Sequence, residues 1–213
     1  MSLRRNLTIG EGLRYSVRHP LLKKASFMIK EAGGSIGLHP AYRNAFESGY
    51  LMSQKQRLEE SVGSEVKSVR NHYIRTKYPL TWRHEVRCGF RTASNVGWSG
   101  INGFRAGTCW PYKPWDCEKN SPVDIVEIPI VAMDCRFETK DSTLEELERL
   151  ISDVRQVRGV FTIDYHSNHW DENEFPNIRS IYIDALKYLS NGGCQFVKDE
   201  DLINIRAPLK TSV

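Results

Sequence analysis

Helix-period stretches that end at glycine alternate with short apolar runs along most of this chain, and that alternation restricts the fold more than any other feature. "HPLLKKASFMIKEAGG" sets Leu21, Leu22, Ala25, Met28, Ile29 and Ala32 at helical spacing and closes on a Gly pair. "SIGLH" follows as a strand. "YLMSQKQRLEESVG" is a second helix, with Leu51, Gln54 or Lys55, and Leu58 on successive turns and Gly63 as its stop. "VKSVRNHYIR" is a strand region and "TWRHEVRCG" a short helix. A long Gly- and aromatic-rich loop runs from Thr92 to Asp116. "DIVEIPIVAMD" is a strongly apolar strand in which Pro129 marks an edge or a bulge. "DSTLEELERLISDVRQVRG" is the clearest helix, capped by Ser142 with Glu145 three residues on. "GVFTIDYHSN" is a strand, "IRSIYIDALKYLSNGG" a helix and "CQFVKD" a final short strand.

Such alternation predicts an α/β protein with a mostly parallel sheet. The 213 residues suffice for one domain with a sizeable core, taken as 1–213. There is no internal repeat. A net charge of +4, dispersed over 30 basic and 26 acidic residues, argues against a nucleic-acid partner, and the basic start reads as a solvated face. No apolar run approaches the ~18 residues of a membrane span, and the start has no long apolar core of a signal peptide, so the expected location is cytoplasmic. The five cysteines have no CxxC spacing and read as free thiols, although Cys109 and Cys117 flank a short loop across which they could pair.

In parallel α/β folds chemistry gathers at the carboxyl ends of strands. His39, His72 and His166 all lie at or near predicted strand exits. A single histidine there is more often structural; three raise the expectation that one pocket collects them.

Four segments, "GLHPAYR", "VRNHYIR", "GFRAGTCWPY" and "GVFTIDYHSN", resemble in order and separation the polysaccharide deacetylases of carbohydrate esterase family four. The resemblance is strongest to a bacterial subgroup with "GLHPSY" and "RQHYLR" segments, and runs from about residue 20 to about residue 190. It implies a distorted (β/α) barrel that removes acetyl groups from the N-acetylated sugars of a carbohydrate polymer. It also implies a divalent metal, zinc first, that polarises the acetyl carbonyl. By the resemblance His39 is a metal ligand and Arg70 orients the base. His166 is the general acid, with Asp164 and His169 beside it. His72 is a possible second ligand. Tyr73, Trp98, Arg105, Trp110 and Tyr112 are the expected substrate contacts. The alternative for each aromatic is packing onto the barrel.

The sequence departs from the family in its carboxylates. Arg43, which cannot ligate a metal, stands where the family's second metal histidine is found. No Asp precedes Asp116, so the base and metal aspartates of the first strand are missing, and the barrel is expected to lack its first strand or strands. Ala93 and Gly100 occupy two further aspartate places. Asp164 or Asp134 could supply a carboxylate, though the resemblance gives neither that role. Three functions follow: a deacetylase with an altered site, a sugar-binding pseudoenzyme, or a scaffold. An open sheet edge would favour pairing with another copy of the chain.

Overall fold

A computed structural model of the chain describes residues 16–42, 48–137 and 140–205. Spatial proximity divides the chain into two units. The first runs to Ala93 and takes in Lys113–Ile125 and Lys198–Glu200; the second comprises Ser94–Tyr112, Val126–Val197 and the residues from Asp201 onward.

In the first unit, helix α1 (Pro20–Glu31) starts where expected. Pro20 fits the first helical position because its missing N–H is one the helix leaves unpaired anyway. The His19 ring accepts from the Leu21 N–H at 3.3 Å. Gly33 ends the helix at φ +81°. Helix α2 (Ser48–Val62) follows. Its last carbonyls attract a cation, and Lys30 Nζ of α1 bonds the Val62 carbonyl at 2.7 Å. The apolar stripe of α1 is not a core face: Leu21, Met28 and Ile29 are exposed and no α1 residue is buried. Strand β1 (Ser68–Val69) pairs in parallel with β2 (Thr92–Ala93), and "SIGLH" contributes one bridge, Leu38 to Val69, rather than a full strand. Between them lies α3 (Leu80–Arg87). The core here is Leu51, Val66, Val69, Trp82 and Phe90. The hairpin of β3 (Trp115–Asp116) and β4 (Ser121–Pro122) is tied to α3 by Arg83, whose guanidinium grips Asp116 at 2.5 and 2.6 Å.

In the second unit, "DIVEIPIVAMD" is two ladders, β5 (Val126–Glu127) and β6 (Ala132–Met133). Pro129, with no N–H to give, falls between them. Helix α4 (Lys140–Gln156) begins two residues before Ser142, which therefore sits in the first turn instead of capping it. Strand β7 (Ile163–Asp164) runs parallel to β6, and α5 (Ile178–Asn191) packs on α4. Ala132, Phe137, Leu147, Ile181 and Ala185 form the core between these helices and the sheet. The "CQFVKD" run forms no strand; its last residue, Asp199, opens a 3-10 turn, Asp199–Leu202.

The mixed helix and strand content and the parallel ladders agree with an α/β fold. Strand is scarce, because the ladders are two residues long, and a closed barrel is not seen among the described residues. None of the five cysteines is in a disulfide. Among the described residues no helix is long and apolar enough to cross a membrane. Arg43 and, of the basic start, Arg4, Arg5 and Arg14 lie outside the described residues.

Candidate functional site

Each unit carries one histidine cluster at the exits of its parallel strands. In the first unit, Leu38 is held beside β1 by its N–H to the Ser68 carbonyl (2.9 Å), and Arg70 N–H returns a bond to the Leu38 carbonyl (2.9 Å). That register brings the next residue, His39, against the exit of β1. His39 Nδ1 lies 2.8 Å from the Arg70 carbonyl oxygen. A carbonyl can only accept, so Nδ1 carries the proton and Nε2 presents its lone pair. That lone pair faces His72 Nδ1 at 2.8 Å. Two lone pairs would repel at this distance, so His72 Nδ1 carries the proton and donates to His39 Nε2.

The pair fits half of a metal site. A histidine that ligates through one nitrogen ordinarily anchors the other to a carbonyl or carboxylate, as His39 does. Nitrogens sharing a tetrahedral zinc stand about 3.3 Å apart, about half an ångström wider than found here, so the spacing as it stands is that of a hydrogen bond. Among the described residues no third His, Cys or carboxylate joins the two within ligating reach.

The backbone leaving this site is strained. Tyr73 (φ +56°) and the β-branched Ile74 (φ +45°) occupy the left-handed region that side chains disfavour. The result turns the Tyr73 ring outward, 64% exposed, with its edge to His72 and Tyr42 at centroid distances of 4.5 and 5.9 Å. Beneath, Asn71 is buried and donates to the buried Glu85 carboxylate at 2.9 Å. Arg70, expected to orient a base, faces Asp199. Burial pushes the Asp199 carboxyl up, while Arg70 and the Ser68 hydroxyl pull it down.

In the second unit, Met133 pairs with Asp164, so Asp134 and His166 leave adjacent parallel strands side by side. Asp134 is fully buried, and its oxygens accept three N–H groups: His166 Nδ1 at 2.7 Å, His169 Nδ1 at 2.6 Å and the His166 backbone at 2.5 Å. Burial works to raise its carboxyl, but the side chain and backbone of His166, with His169, outweigh it and hold the group below the usual carboxylate range. Both imidazoles thus keep their proton on Nδ1, and His166 turns Nε2 outward on a ring 41% exposed. The ligand atoms of these three residues lie close enough to suggest a metal. Their spacings are instead those of charge-assisted hydrogen bonds, well short of the ~3.3 Å around a tetrahedral ion.

The expected substrate contacts divide. Trp98 is 43% exposed, with the Arg105 guanidinium 5.1 Å from its ring centre and Arg105 itself fixed to the Gly97 carbonyl at 2.9 Å. Trp110 packs against Cys109, Val131, Leu150 and Val154 and donates its indole N–H to the Val157 carbonyl. Burial, and then the Glu127 charge, raise the Tyr112 phenol far above its usual range. The sequence set His166 and His39 at strand exits and offered Asp134, with Asp164, as a carboxylate to which the resemblance gave no role; Asp199 was not weighed. The signal for Asp134 was an acidic residue directly after an apolar run, the position where a parallel strand delivers its side chains to a site.

No family model matches the chain, and no curated protein does. Among solved structures, a chain from Mycobacterium smegmatis assigned to the polysaccharide deacetylases matches with a TM-score of 0.57 at 17% identity, over 83% of this chain. The matched region spans 62% of the Mycobacterium smegmatis chain. A Bordetella bronchiseptica protein assigned to the polysaccharide deacetylases of O-antigen biosynthesis aligns at 14% identity over 79% of this chain and 77% of its own, with a TM-score of 0.40. On the first of these matches, the chain shares its fold with a protein assigned to the polysaccharide deacetylases.

Proposed function

We propose that this chain hydrolyses the N-acetyl amide of a sugar polymer. The observation that carries the reading is the Asp134–His166 pair. A buried carboxylate holds the imidazole by Nδ1 at 2.7 Å, which orients the ring and makes Nε2 the nitrogen that would deliver a proton. That is the arrangement a general acid needs when an amine must leave as a neutral group. The fold likeness and the four sequence segments support the same chemistry. In the first unit, taken by itself, His39 and His72 are the residues that would hold a divalent metal, a group whose chemistry is to polarise a carbonyl. His39 contributes Nε2, kept unprotonated by its bond to Arg70; His72 contributes Nδ1. Within the second unit the exposed face of Trp98 is the surface offered to a sugar ring; the first unit separately offers that of Tyr73.

The test is acetate release from N-acetylated chito-oligosaccharide with zinc present, comparing the natural chain with His166→Ala and Asp134→Asn. Loss of a positioned acid costs ~100 to 10,000-fold in rate, and both variants are expected within that range. Saturable oligosaccharide binding with no acetate released by the natural chain would sink the reading and leave a sugar-binding protein.

A further inference from the structure

The resemblance supplies one histidine for the acid role, yet the Asp134 carboxylate serves two. His169 lies three residues beyond His166, in the 3-10 turn Ser167–Trp170 that follows β7. That turn is closed by the His169 N–H to the His166 carbonyl at 3.0 Å. It returns the His169 ring to the same carboxylate, with the two imidazole centroids 5.6 Å apart. The two rings meet different solvent. The His166 side chain is 41% exposed and the His169 side chain 13%, packed at 4.4 Å on Phe175. His166 is placed to exchange protons with a substrate, and His169 is not.

We propose that His169 is a positioning residue: it shares the Asp134 carboxylate with His166 and, by drawing on that charge, sets the acidity of the outer imidazole. The catalytic meaning of this rests on the deacetylase reading above; the ionisation coupling does not.

The physical argument is a competition for one charge. Asp134 Oδ1 accepts from His166 Nδ1, and Oδ2 accepts from His169 Nδ1 and from the His166 backbone. Each further donor spreads the negative charge and weakens the carboxylate as an acceptor for His166. A neutral His169 does this through its N–H. A protonated His169 does it more strongly and adds direct repulsion between two imidazolium ions. In either state His169 makes His166 the stronger acid. The other titratable groups that feel the Asp134 charge are the Tyr165 phenol and the Cys135 thiol. Arg136 and Asp164 act on Cys135, and Arg179, Glu172 and Tyr182 act on Tyr165. The two imidazoles are the groups bonded to the carboxylate itself.

The experiment is NMR titration of the histidine ring signals in the whole chain, in the natural protein, His169→Leu and His169→Asn. Leucine removes the donor. Asparagine keeps an N–H close to the place of Nδ1. The His166 midpoint is expected to rise by about half a pH unit or more in His169→Leu and to return most of the way in His169→Asn. An unmoved midpoint in a folded His169→Leu would overturn the proposal and leave His169 as packing. Should His169→Leu fail to fold, ring nitrogen shifts in the natural protein decide. A proton on His169 Nδ1 with coupled titration of both rings supports the proposal, and a proton on Nε2 overturns it. Neither readout needs turnover. A shifted midpoint without acetate release would keep the coupling and remove the deacetylase reading.

Discussion

Replacing Glu127 with alanine removes an acceptor that two buried backbone donors depend on. Glu127 lies on β5 with no exposed surface. Its Oε1 accepts the N–H groups of Asn95 at 2.6 Å and Val96 at 2.9 Å. Asn95 and Val96 are themselves buried, so no solvent replaces the lost oxygen. An orphaned buried donor costs ~1–3 kcal/mol, so the pair costs about 2–6 kcal/mol. That approaches the whole stability of an ordinary domain, ~5–15 kcal/mol. Glu127→Gln keeps a carbonyl oxygen in the same place and loses only the charge assistance, about 1–2 kcal/mol. Urea unfolding followed by circular dichroism gives both values from the midpoint, provided the slope is unchanged. A Glu127→Ala variant within about 0.5 kcal/mol of the natural chain would refute the reasoning, since changes of that size belong to surface positions. Failure of Glu127→Ala to fold, beside a folded and mildly weakened Glu127→Gln, is the strong form of the expected result.

Three further outcomes follow from other parts of the molecule. His39→Ala should weaken zinc binding in calorimetry by at least ~10-fold, and an unchanged affinity would remove the His39–His72 pair from the metal argument. The Arg83 guanidinium holds the Asp116 carboxyl down at about 2 against desolvation by burial. A carboxylate whose folded value is depressed stabilises the protein above its ordinary value of ~4 and loses that contribution as pH falls through the folded value. Asp116→Asn should therefore be less stable at neutral pH and show a shallower loss of stability below about pH 4, measured by urea midpoints; parallel pH curves would contradict this. A Cβ on Gly97 would stand 2.7 Å from Ile130 Cβ. Gly97→Ala should cost ~1–3 kcal/mol and lower the melting temperature by several degrees, and an unchanged melting temperature would mean that the loop yields freely.

The elements legible in the sequence are those whose signal is local. The helices at Pro20–Glu31, Ser48–Val62, Leu80–Arg87, Lys140–Gln156 and Ile178–Asn191 all fall on stretches with helical spacing and end near the glycines or turns that were read as stops. Strands were over-read. A run such as "DIVEIPIVAMD" is apolar because it is buried, but a ladder also needs a donor at every other position, and Pro129 interrupts it. The final "CQFVKD" run leaves Phe196 and Val197 exposed, without the burial that its apolar character suggested. Burial of α1 was not legible either: spacing shows which residues share a face, not whether anything covers it. The histidines could be found because strand exits deliver side chains to sites. Which carboxylate each would meet could not, since Asp134 reaches His166 through the pairing of strands about thirty residues apart.

That pairing makes the site a report on how the sheet has assembled. Side chains alternate between the two faces of a strand, so a slip of β7 against β6 by one residue would send His166 to the opposite face from Asp134. The parallel ladder here is two residues long, with little intrinsic preference for one alignment. The three bonds into Asp134 then act as a lock that only the correct alignment can close. In refolded or heat-stressed protein, the bonded imidazole proton of His166 would mark correctly assembled molecules, and its absence would expose a misaligned fraction that overall helix content does not reveal.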